Sequence, residues 1–155
     1  MKFIHFLQFA LPFAAVFLMA ACGSNSLRTG ESPLEQPVLE ISEGGGFTGM
    51  FLVYRIDRHG NLEKWSSRAG KLDTLLWKGK IPADTVRNWV KDLKNTGALE
   101  WTYQKPGNMS ETVIYWQDEK RFMWTWTPSV GKKILPVAFY RWYRRVRTFL
   151  DATTR

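Results

Sequence analysis

Side chains able to do covalent or acid–base chemistry are few and poorly grouped. Histidine occurs twice, at His5 and His59, and cysteine once, at Cys22. His59 lies in Arg58-His59-Gly60-Asn61, a cluster of turn formers, and Asp118 with Glu119 lies in another. Neighbouring residues on a strand point to opposite faces, so Asp118 and Glu119 are poor candidates for the facing carboxylates of a glycosidase. Ser66 and Ser67 near Lys64 or Lys71 complete the inventory of nucleophile and base. A single cysteine permits no internal disulfide, and one further histidine cannot complete a structural zinc site. The sequence therefore predicts no catalytic residue, no metal site and no cofactor, and a role other than catalysis.

The cysteine has a context of its own. Lys2 is followed by Phe3 to Leu18 with no formal charge, the pattern of a secretory leader, and the run is shorter than the roughly 20 apolar residues of a spanning helix. It ends in Leu18-Met19-Ala20-Ala21-Cys22-Gly23, which resembles the lipobox of bacterial lipoproteins. That resemblance implies diacylglyceryl transfer to the Cys22 thiol and cleavage before it, with residues 1–21 as signal peptide. Two or three acyl chains at about 0.8 kcal/mol per buried methylene would hold the protein on a membrane. Gly23 stands where enteric inner-membrane lipoproteins carry Asp, so the resemblance implies the outer membrane, facing the periplasm.

Residues 22–43 are expected to form a flexible acidic tether. Pro33, Pro37, Glu31, Glu35, Glu40 and Glu43 occur there, and no aromatic residue does. Residues 44–155 are expected to form one domain. They hold 20 of the 22 basic and 10 of the 14 acidic residues, a net +10, and all eight tryptophans. So many tryptophans in 112 residues read as core before they read as platforms for sugar rings.

Alternation in Phe47 to Asp57, turn residues at 58–61 and a return over Leu62 to Ser67 predict a β-hairpin, with a third short strand at Leu75 to Trp77. Pro82, Asp84 and the spacing of Val86, Trp89, Val90 and Leu93 predict a helix ending before Gly97. Further strands are expected at Leu99 to Tyr103, Glu111 to Gln117 and Arg121 to Thr127, then a helix over Leu135 to Leu150. The apolar stripe of that helix holds Leu135, Ala138, Phe139, Trp142, Val146, Phe149 and Leu150; the other side carries Arg141, Arg144 and Arg147. The fold class is α+β, an antiparallel sheet of five to six strands in the order β-β-β-α-β-β-β-α, packed by two helices.

Gly44-Gly45-Gly46-Phe47-Thr48-Gly49 precedes a strand, whereas phosphate loops follow one and open a helix. At least one of Gly44, Gly45 and Gly46 is expected at positive φ, with the loop Gly44 to Phe47 serving structure or recognition. Glu43 to Gly49, Tyr54-Arg55-Ile56, Gly60 and Pro106-Gly107-Asn108-Met109-Ser110 together resemble a group of small bacterial lipoproteins without an assigned function. In order of elements the chain is also similar to emfourin-type inhibitors of thermolysin-like proteases. Those inhibitors carry an Asp-Arg pair where Ser110-Glu111-Thr112-Val113 stands here, so no inhibitory residue carries over.

Arg141, Arg144 and Arg147 are the candidate contacts to an anionic surface: anionic lipid, lipopolysaccharide or an acidic envelope protein. An exported protein rarely meets nucleic acid, so none is expected as partner, and a monomer is expected. The sequence points to a lipid-anchored, non-catalytic binding or inhibitory module of the cell envelope. A hydrolase of peptidoglycan or another glycan is the alternative.

Overall fold

A computed structural model describes Leu34 and residues 36–155. Cys22 and residues 1–21, the expected signal peptide, lie outside the described residues. The elements run β1 (Leu39–Gly45), β2 (Met50–Ile56), β3 (Asn61–Arg68), β4 (Lys71–Lys80), α1 (Ala83–Asn95), β5 (Tyr103–Gln104), β6 (Met109–Gln117), β7 (Lys120–Trp126), α2 (Pro128–Ile134) and α3 (Val137–Thr153). One seven-stranded sheet has the order β4-β3-β2-β1-β6-β7-β5. The fold is α+β as expected, and the sheet is larger than five to six strands. It is also mixed, because the short edge strand β5 pairs parallel to β7 while the other pairs are antiparallel.

The added strand is β1, which begins at Leu39, inside the segment expected to be tether, so the fold starts earlier than residue 44. It pairs with β2 on one side and β6 on the other and so holds the centre of the sheet. Leu39 and Ile41 are fully buried beneath the helices. Two inward aliphatic side chains in a central strand offset the ordering cost that the polar composition of 22–43 had suggested would prevail.

The helices cover one face. Leu39, Ile41, Tyr54, Ile56, Leu62, Val113, Tyr115, Trp124 and Trp126 of the strands meet Val86, Trp89 and Leu93 of α1 and Phe139, Trp142, Tyr143, Val146 and Leu150 of α3. None of the eight tryptophans is in the exposed class. The indole Nε1–H of Trp142 donates to the Trp89 carbonyl at 2.9 Å and that of Trp124 to the Trp101 carbonyl at 3.0 Å. Buried indoles with satisfied donors are core residues, so Trp142 and Trp124 are not open sugar platforms.

Local chemistry sets the boundaries. Asp57 accepts from the backbone N–H groups of His59 and Asn61 at 2.8 and 2.9 Å, which ties the β2–β3 turn and accounts for both residues structurally. Asp118 has φ 55 in the β6–β7 turn, so it too is a turn residue. Proline splits the C-terminal helix. Leu135 is extended ahead of Pro136, as a residue before proline prefers, so α2 ends at Ile134 and α3 starts at Val137 instead of Leu135. Among the described residues there are thus three α-helices, and the expected strand over Leu99 to Tyr103 is a 3-10 turn, Ala98–Glu100, followed by the two-residue β5.

Candidate functional site: the glycine-loop end

Gly45 pairs with Met50, Met50 with Arg68 and Arg68 with Lys71, while Gly45 also pairs with Met109. The β1–β2, β3–β4 and β5–β6 connections therefore share one end of the sheet, where β7 also finishes and α2 begins.

Residues 46–49 close the β1–β2 hairpin with one 3-10 turn. Gly44, Gly45 and Gly46 all have positive φ, at 153°, 113° and 70°. Two of these positions also exclude a side chain by contact. A Cβ on Gly44 would lie 2.1 Å from the Met50 carbonyl oxygen, and one on Gly45 would lie 2.3 Å from that of Asn108. The close approach lets the Gly46 N–H donate to the Asn108 carbonyl at 2.6 Å, which ties the loop to the start of β6. The glycines thus fix a tight turn, and the residue at its tip is Phe47, with a relative exposure of 107%. Leaving a phenylalanine in water forgoes about 1.5–3 kcal/mol of burial.

Beside the loop lies a groove of about 440 Å³, walled by Met50, Leu52, Leu76, Met109 and Pro128. Glu43 and Glu111, register partners on β1 and β6, line the same groove. Glu111 is buried and accepts from the Trp126 indole Nε1–H at 2.5 Å. Glu43 is ion-paired with Arg147, whose other terminal nitrogen lies 2.6 Å from Asp151. The guanidinium also stacks 4.7 Å from the centre of the Tyr54 ring, and the Tyr54 hydroxyl donates to Asp151 at 2.7 Å. Burial opposes the Arg147 charge, but Glu43, Tyr54 and Asp151 more than offset it and hold its pKa above the ordinary arginine value. Burial, and then the Glu111 carboxylate, push the Tyr143 phenol well above its usual range.

This arrangement corrects the expectation for Arg147. It is only 6% exposed and is committed to acids of its own chain, so it is not an exposed contact for an anionic surface. Its side chain lies on the flank of the α3 stripe beside Tyr143 and Val146, both buried. Arg141 and Arg144 are exposed on the outer side, as expected. Two expected members of the apolar stripe also face outward: Ala138 is exposed, and Phe149 keeps 39% exposure while meeting Trp89 edge-on at 5.2 Å. Gly44 to Phe47 come together as one loop. The sequence reading missed Met109, Glu43 and Glu111 as its neighbours; the signal for Met109 was its place in Pro106-Gly107-Asn108-Met109-Ser110.

Among the described residues no group of histidine, cysteine and acids is arranged to hold a metal ion. No described helix is long and apolar enough to cross a membrane. No family model matches the chain, and no curated protein matches it.

Proposed function

We propose that the protein is a lipid-anchored binding or inhibitory module of the cell envelope and that it recognises its partner with the glycine-loop end. The anchor rests on the Cys22 context in the sequence. The observation that supports recognition is Phe47: an apolar ring standing wholly in solvent at the tip of a tight glycine turn. A loop needed only to connect β1 and β2 would be served by polar residues.

Envelope cross-linking tests this reading. Wild type is expected to give an adduct that Phe47→Ala loses and that the double variant Arg141→Ala with Arg144→Ala keeps. The same adducts in wild type and Phe47→Ala contradict it. Cys22→Ala is expected to move the protein from the membrane pellet to the soluble fraction, and retention after a high-salt wash removes the anchor from the proposal.

The second reading is hydrolysis, favoured by one observation, the facing pair Glu43 and Glu111 on the groove wall. Both carboxylates already have structural bonds, to Arg147 and Trp126. A peptidoglycan zymogram that clears with wild type but not with Glu111→Gln would establish turnover in place of binding alone.

A further inference from the structure

Exposed large apolar side chains are few among the described residues, and five of them, Phe47, Leu76, Met109, Val130 and Ile134, belong to the glycine-loop end and its groove or to α2 beside it. The exposed charges around them are mainly cationic. Arg68, Lys71, Lys105, Lys132 and Lys133 are exposed on the strand ends, connections and helix of this region. The acids there are Glu43, paired with Arg147, Glu111, which is buried, and the exposed Asp73. At the far end the charges are mixed: Asp57, Asp84, Asp118 and Glu119 stand among Arg58, Lys80, Arg87 and Lys120, and Asp84 is paired with Arg87. The glycine-loop end is where exposed apolar side chains and exposed cations coincide.

We propose that the glycine-loop end is an insertion tip for an anionic lipid bilayer, with Phe47 entering the interface and the surrounding arginine and lysines contacting lipid phosphates. The proposal rests on the binding reading above and names the partner. Three physical arguments favour a bilayer over a protein. Phe47 projects from the loop beside the groove walled by Leu76 and Met109, and a fluid interface accepts such a projecting ring without a preformed socket, whereas a folded partner would have to supply one. The exposed cations of this end match a surface of uniform negative sign, where each contributes to attraction. An apolar side chain among basic ones is also the composition that interfacial segments use. Chain length permits the contact. Sixteen residues separate Cys22 from Leu39, a reach of up to about 55 Å at 3.3–3.6 Å per residue, against about 23 Å for a seven-residue strand. A domain anchored at Cys22 can therefore lay its distal tip on the same membrane.

The test uses the full acylated chain reconstituted in vesicles, with a photoreactive benzophenone side chain in place of Phe47 or, in a second protein, of Arg144. On vesicles containing phosphatidylglycerol, the probe at 47 is expected to label lipid at least about tenfold more than on phosphatidylcholine alone. Lys132→Gln together with Lys133→Gln should lower that labelling about tenfold, and so should high salt. The probe at 144 should label weakly on both. Equal labelling from 47 on the two vesicle types, or equal labelling from 47 and 144, overturns the proposal. In native envelopes a protein adduct from position 47 with no lipid adduct overturns the lipid tip but keeps the binding reading. No adduct of either kind from position 47 overturns both.

Discussion

Arg147 on α3 and Glu43 on β1, 104 residues apart in sequence, form an ion pair beneath the groove that flanks the glycine loop. The pair fastens the C-terminal helix to the central strand just below Phe47 and its hairpin. Asp151, one helical turn further on, shares the same guanidinium.

Removing that guanidinium leaves two carboxylates facing each other's field with no cation between them. Arg147→Ala is expected to destabilise the domain by about 2 kcal/mol, below the cost of breaking a fully buried pair, because the carboxylates it leaves, Glu43 and Asp151, are 39% and 43% exposed and can be hydrated. Arg144→Ala, on the exposed side of the same helix, should change stability by no more than about 0.5 kcal/mol. Urea unfolding of the two variants measures both.

Gly45→Ala should cost about 2–4 kcal/mol, because the new Cβ meets the Asn108 carbonyl and φ is 113°. Phe47→Ala, two residues away, should leave the melting temperature unchanged, since the ring has no packing to lose. Comparable melting temperatures for the two variants would mean that the loop is not built as described.

Trp142→Ala removes a buried ring and its bond to the Trp89 carbonyl, with an expected loss of about 3–5 kcal/mol. Phe149→Ala should lose only about 1 kcal/mol, because its edge contact with Trp89 is open to solvent on one side. Denaturant midpoints of the two variants give the comparison.

Burial raises the pKa of Glu40, on β1, above the ordinary value of 4.5, and Arg55 and Arg121 only partly counter it. The native state then binds the Glu40 proton more tightly than the unfolded chain does. Its stabilising contribution is complete below about pH 4.5 and is lost as the pH rises through the native pKa. Glu40→Gln should therefore be more stable than wild type at pH 7, with the difference closing toward pH 4. Equal stability of the two proteins across pH 4–7 would contradict this.

Much of the fold is legible in the sequence where one period dominates. The 3.6 spacing from Val86 to Leu93 and the alternation of Phe122, Trp124 and Trp126 each specify an element and its buried face. β1 is hidden because its third inward residue is Glu43, whose partner Arg147 lies a hundred positions away, and because its last residues are glycines that also suit a loop. Arg147 is misread for a related reason: its spacing from Arg141 and Arg144 suggests a shared outer face. Its place four residues after Tyr143 and four before Asp151 is the counter-signal. The loop glycines are legible as a backbone constraint, whereas the outward direction of Phe47 follows only from the turn they make.

The occupied state of the loop end is measured most directly by the chemical accessibility of position 47. Cys22 is the sole native cysteine, and the acylation proposed for it would leave Phe47→Cys as the single reactive thiol. If the loop end is the recognition surface, that thiol reacts with a polar maleimide at least about tenfold more slowly in native envelopes than in the purified protein. Arg144→Cys serves as control and should react alike in both. Equal reactivity at position 47 in the two settings would contradict the assignment of the loop end as the surface through which this protein acts.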